Sequence, residues 1–177
     1  MTIAAAYLTS EGVVLGADSA AAISNPAGQV VQLLNHAQKV LEAGQKSRIG
    51  YCCWRAGSIG KISRRATAAR LGDLPNFGAF TVQEAANALS ALIVATRSAE
   101  QVSNFLGCFI GGWNLGTHDP QCFELVFEQG QNGPAGLLIA SRPMPRRQDG
   151  ARATDGSCAC SCTTAANRSK LPMVTSS

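Results

Sequence analysis

The chain has little of what the simplest functional readings need. Its 177 residues include two histidines, and only 15% of them are charged and 6% aromatic. No apolar run approaches the ~20 residues of a membrane-spanning helix, so membrane insertion is not expected. The opening MTIAAAYLTSEG lacks a basic start and a long apolar stretch, which argues against a secretory signal and for a soluble, cytoplasmic protein. Free thiols are then the expectation for the seven cysteines. Cys52, Cys53, Cys108 and Cys122 stand in apolar segments and read as small buried hydrophobes. Cys158, Cys160 and Cys162 form C-x-C-x-C, which lacks zinc-site spacing and a nearby histidine, so no metal and no other cofactor is expected.

Several catalytic motifs are missing too. There is no G-x-S-x-G elbow and no H-E-x-x-H helix. The stretch Gly57-Ser58-Ile59-Gly60-Lys61 hints at a phosphate loop, but Arg55 stands where the first glycine belongs and Ile62 where a Ser or Thr belongs. His36 and His118 lie in polar, loop-like contexts and read as surface residues rather than general bases.

The formal charge of +4 is not spread along the chain. Residues 1–140 carry nine basic and nine acidic residues, whereas residues 141–177 carry six and two. That last stretch has no aromatic residue, so it lacks the basic patch with interleaved aromatics expected of a nucleic-acid surface. It has no hydrophobic period either, and reads as a disordered or unrelated tail after a domain covering 1–140.

What is present is 46% hydrophobic residues, enough for one packed domain. Thr2 to Leu8 and Val13 to Ala17 are apolar runs joined by the turn Thr9-Ser10-Glu11-Gly12, a hairpin. Val30 to Leu34, Lys39 to Leu41 and Arg48 to Trp54 read as further strands. Ile59, Ile62, Ala66 and Ala69 suggest a helix running to Gly72, with Arg64, Arg65 and Arg70 on its solvated side. Thr81-Val82-Gln83-Glu84 matches a capping box for a second helix, whose stripe is Val82, Ala85, Leu89, Leu92, Ile93 and Thr96. Strands resume at Leu106 to Trp113 and Cys122 to Glu128. Strands, two helices and strands suit an α+β sandwich, in which two sheet layers between helices would also fit.

The remaining chemistry lies at the amino terminus. A small residue after the initiator methionine permits its removal, which would leave Thr2 with both a hydroxyl and a free α-amine. That amine has a reference pKa of ~8 and can act as general base for its own hydroxyl. Such a nucleophile needs a cation, a carboxylate to hold the cation and a backbone N–H for the oxyanion. Asp18 at the end of the second strand, Lys39 amid apolar residues and Gly57 at a strand-to-helix junction are the candidates.

These pieces resemble a proteasome β-type subunit. The resemblance rests on Thr2-Ile3-Ala4-Ala5-Ala6-Tyr7, on Gly12-Val13-Val14-Leu15-Gly16-Ala17-Asp18-Ser19, on Gln38-Lys39-Val40, on Arg55-Ala56-Gly57-Ser58 and on Phe109-Ile110-Gly111-Gly112-Trp113. It implies a four-layer αββα N-terminal-nucleophile hydrolase and a threonine-type endopeptidase. Thr2 would be the nucleophile, Asp18 and Lys39 the supporting pair, and Gly57 N–H the oxyanion donor. Arg55 would lie at the base of the substrate pocket, with Ala21 near it. The implied partners are further copies forming rings, polypeptide substrates and an ATPase unfoldase. Two departures stand out. Lys39 arrives late, implying a longer loop around Asn25 to Gln29, and nothing after Pro134 matches the family's second half, so the fold reads as incomplete at its C-terminal end. A non-catalytic ring subunit and an N-terminal-nucleophile amidohydrolase acting on small amides remain as alternatives.

Overall fold

The computed structural model describes residues 3–25, 27, 29–44, 48–55, 58–99, 106–127 and 138–144. Thr2, Gly57 and the cysteines of the C-x-C-x-C run lie outside them, as does most of the expected tail.

Strands β1 (Ala4–Leu8) and β2 (Val13–Ala17) form the expected antiparallel hairpin, in register from Ala4↔Ala17 to Leu8↔Val13. Thr9 closes it, accepting through its hydroxyl from the backbone N–H of Glu11 and Gly12. The two-residue period of the strand turns Ala4, Ala6 and Leu8 inward. A second hairpin follows, β3 (Ala21–Ser24) with β4 (Val30–Leu34). The sequence reading had no strand at β3.

The centre is a five-stranded antiparallel sheet. It contains β5 (Val40–Glu42), β6 (Ile49–Trp54), β9 (Leu106–Trp113), β10 (Pro120–Phe127) and β11 (Leu138–Pro143), in the spatial order β11-β10-β9-β6-β5. Between β6 and β9 come the short strands β7 (Ser58–Ile59) and β8 (Ile62–Ser63), helix α1 (Arg64–Gly72), a 3-10 turn at Phe77–Ala79 and helix α2 (Val82–Ala99). The expected domain boundary at residue 140 falls inside β11, which continues to Pro143. The chain then stays on the sheet through Met144, whose N–H donates to the Cys122 carbonyl at 2.8 Å.

Both faces of the sheet are covered, which is why its strands read as unbroken apolar runs. Tyr51, Cys53, Cys108, Ile110, Leu125 and Phe127 face α1 and α2. Alternate residues, Cys52, Trp54, Phe109 and Cys122, face Ala4, Ala6 and Leu8 of the first hairpin. The described residues thus make three layers: helices, five-stranded sheet and hairpin. The fourth layer of an αββα sandwich is not present among them. Gly107 on β9 leaves room for the Trp54 ring, which an added Cβ would strike, and Trp54 stacks on Phe109 with ring centroids 4.7 Å apart.

Two expectations about the helices fared differently. The α2 capping box is formed, with Glu84 Oε2 accepting from Thr81 N–H at 2.7 Å and Glu84 N–H donating to Thr81 Oγ1 at 3.2 Å. The first helix begins later than expected. Gly60 adopts φ +62°, so Ile59 and Ile62 pair across a tight turn, and Ser63 caps the helix by accepting from Ala66 N–H. Its buried side is therefore Arg64, Thr67, Ala68 and Leu71, which moves Arg64 from the solvated face to the interior. Among the described residues no helix is long and apolar enough to cross a membrane.

Candidate active site

The loop after β2 and the approach to β5 converge on one ion pair. Lys39, one residue before β5, donates from Nζ to Asp18 Oδ2 at 2.9 Å. Its side chain is 2% exposed and that of Asp18 is 24% exposed, so the cation is the enclosed partner. The same ammonium also donates to the Ala20 carbonyl. Ala37 N–H donates to Ser19 O at 2.8 Å and holds the two segments together. An ammonium offers three donors, and two of them are accounted for by these groups.

The other carboxylate oxygen turns to the amino terminus. Ile3 N–H donates to Asp18 Oδ1 at 2.8 Å, and Asp18 N–H returns a bond to Ile3 O at 3.1 Å. Asp18 therefore ties the buried cation to the backbone of the residue joined to Thr2. Burial works to raise the Asp18 pKa, but the Lys39 hydrogen bond, the Ile3 N–H and the Lys39 charge outweigh it and hold the carboxyl below its ordinary range. A carboxylate fixed in this way stays ionised near neutrality and keeps the ammonium in place.

The remaining site residues are distributed as follows. Arg55 directly follows β6, is exposed and has φ +73°, a left-handed conformation that is costly for a residue with a Cβ. Ala21 opens β3, three residues after Asp18, and is half-buried. His36 and His118 are both exposed. Sequence reasoning missed the Ala20 carbonyl and the Ile3 N–H. Both are backbone groups, invisible to a search by side-chain type; the only available signal was their adjacency to Asp18 and Thr2. Among the described residues no group of three His, Cys, Asp or Glu side chains could hold a metal ion.

No protein-family model matches the chain, and no curated protein is significantly similar to it.

Proposed function

We propose that the chain is a threonine-type endopeptidase whose nucleophile is Thr2, freed by removal of Met1. The observation that carries this reading is the enclosed Lys39–Asp18 pair bonded to the backbone of Ile3, the next residue along the chain. In the proposed reaction the Thr2 α-amine takes the hydroxyl proton as Oγ attacks the scissile carbonyl. The Lys39 charge favours the developing alkoxide, and Asp18 holds that charge in position. Gly57 N–H stabilises the oxyanion. Collapse of the adduct expels the amine product, which takes the proton from the α-amine and leaves an ester on Thr2. Water, deprotonated by the same amine, then hydrolyses the ester.

Helices on one face of the sheet and a hairpin on the other agree with three layers of the four-layer sandwich. Self-association into rings, with polypeptide substrates delivered by an ATPase unfoldase in the cytoplasm, belongs to the same proposal. Exposed apolar residues on β3 and β4 favour an assembling protein, and they suit a non-catalytic ring subunit equally well. N-terminal sequencing separates the two readings, because a retained methionine blocks the amine. The mature chain should begin at Thr2, and Thr2→Ala should abolish peptide hydrolysis while leaving the far-ultraviolet circular dichroism unchanged. Undiminished hydrolysis in that variant would falsify the mechanism.

Arg55 supplies the expected specificity. A guanidinium at a pocket base meets a carboxylate through paired, charge-assisted hydrogen bonds. Fluorogenic peptides with an acidic residue before the scissile bond should be cleaved faster than apolar ones. Arg55→Met should reverse that order, and equal turnover by the unsubstituted protein would remove Arg55 from the pocket.

A further inference from the structure

The sheet holds a pair of thiols that the proposed reaction does not use. Cys53 on β6 and Cys108 on β9 are directly opposed residues of adjacent antiparallel strands. Both are fully buried, and their sulfurs lie 2.7 Å apart. Opposed residues in antiparallel strands have Cα atoms ~4.5 or ~5.5 Å apart. Both values fall within the ~4.4–6.8 Å that a disulfide spans, so no backbone movement is needed for a bond. The sulfurs are already closer than two non-bonded sulfur atoms ordinarily approach.

We propose that Cys53 and Cys108 form a reversible cross-strand disulfide, with hydrogen peroxide as the oxidant. One thiol loses its proton, and its sulfur attacks a peroxide oxygen. The O–O bond breaks, giving a sulfenic acid and a hydroxide that takes up the released proton. The second sulfur attacks the sulfenic sulfur, the S–O bond breaks, and the departing hydroxide leaves as water with the second thiol's proton. Two thiols and one peroxide thereby become one disulfide and two waters, with two electrons passing from sulfur to peroxide.

Geometry sets this pair apart from the other described cysteines: Cys53 and Cys108 oppose one another across β6 and β9, whereas Cys52 lies opposite Val40 and Cys122 opposite Gly111 in their antiparallel pairs with β5 and β9. Burial, the hydrogen bond with Cys53 and the neighbouring Cys53 and Cys52 sulfurs push the Cys108 thiol well above its ordinary range, against a smaller opposing effect of the buried Arg64. Burial lowers the pKa of Arg97, which is 1% exposed on the last turn of α2, and Cys108 only partly opposes that fall. Cys52 and Cys122 lie on the opposite face, where burial pushes both thiols up to about 12. Both thiols are fully buried, so the oxidant that reaches them must be small and uncharged, as hydrogen peroxide is. The bond would fix β6 to β9 one residue before Trp54-Arg55, and so act on the strand end that leads into the proposed site.

The test uses the full chain, reduced and then treated with hydrogen peroxide. Unfolding in an alkylating denaturant and tryptic digestion without reductant follow. Cys53 falls in peptide 49–55 and Cys108 in peptide 98–146, since trypsin does not cut between Arg142 and Pro143, and each also holds one other cysteine. The expected product joins these two peptides, with fragment sequencing placing the link on Cys53 and Cys108. It should disappear in Cys53→Ala and in Cys108→Ala, and persist in Cys52→Ala and Cys122→Ala. The bond encloses a long loop, so the oxidised protein should melt at least about 5 °C above the reduced form, a gain reversed by dithiothreitol. Recovery of alkylated Cys53 and Cys108 after peroxide overturns the proposal, as does sulfinic acid at either position or a link through Cys52 or Cys122. Where an alanine variant fails to fold, the peptide map of the unsubstituted protein decides alone.

Discussion

The two hairpins of this chain invite comparison. β1–β2 and β3–β4 are both short, antiparallel and rich in aliphatic residues, and they follow one another directly. In the first, Ala4, Ala6 and Leu8 alternate inward onto Cys52, Trp54, Phe109 and Cys122. In the second, every residue of β4 is exposed, with Val30 at 57%, Val31 at 62% and Leu33 at 66%. Apolar composition is therefore the same signal in both, while only the first hairpin has a core beneath it among the described residues. The difference also divides their roles. Ile3 immediately precedes β1 and Asp18 immediately follows β2, so the packed hairpin positions both; β3–β4 offers an apolar surface of the kind that marks contact with other molecules.

The largest expected effect comes from removing the cation that the first hairpin holds. Lys39→Ala should lower peptide hydrolysis by at least about 10²–10³, the scale on which loss of one electrostatic stabiliser acts. It should also cost about 2 kcal/mol of stability, less than the ~3–5 kcal/mol of a fully buried pair because Asp18 retains contact with water. Denaturant unfolding beside a fluorogenic assay separates the two effects. A folded Lys39→Ala protein with full activity would place the chemistry elsewhere.

The comparison itself can be broken by one charge placed in each hairpin. Ala6→Asp buries a carboxylate at a position 1% exposed and should cost about 3–5 kcal/mol, enough to unfold a marginal domain. Val31→Asp places the same group where 62% of the residue is exposed, and should change monomer stability by no more than about 1 kcal/mol. If β3–β4 is a contact surface, Val31→Asp should instead shift the sedimentation profile toward smaller species. Equal destabilisation by the two variants would mean that the second hairpin is packed as tightly as the first.

What was legible in the sequence follows the same division. β1–β2 and β9 were readable because two-residue alternation or an unbroken apolar run met a clear turn signal. α2 was readable because Thr81 and Glu84 announce its start. α1 was misplaced because Ile59 and Ile62 have helical spacing, yet the positive φ of Gly60 makes them a turn. Arg64 was misassigned with it. β3 was passed over beside the Asn25-Pro26 break, and β11 because its last residues run into a Pro- and Arg-rich stretch without period. The site was legible only in part. Asp18 and Lys39 are 21 residues apart, and no local period links them; residue chemistry and a family resemblance suggested the pair, and folding brings it together at 2.9 Å.

The smallest expected effect is a pH dependence confined to the first hairpin. Asp18 has a folded pKa below its ordinary 3.8, because the Lys39 and Ile3 bonds overcome the opposing effect of burial. The unfolded chain therefore binds the proton more readily than the folded one. The stability this carboxylate contributes is fully present above the unfolded value and is lost as pH falls through the folded value. Denaturant midpoints measured from neutrality into acid should thus decline more steeply for the unsubstituted protein than for Asp18→Asn, which cannot titrate there. Val31→Asp is the matched control. Its added carboxylate stands at a position 62% exposed, so it should leave the acid slope of the unsubstituted protein in place. Parallel curves for the unsubstituted protein and Asp18→Asn would show that the Lys39 pair adds nothing to folding, and would confine its role to chemistry.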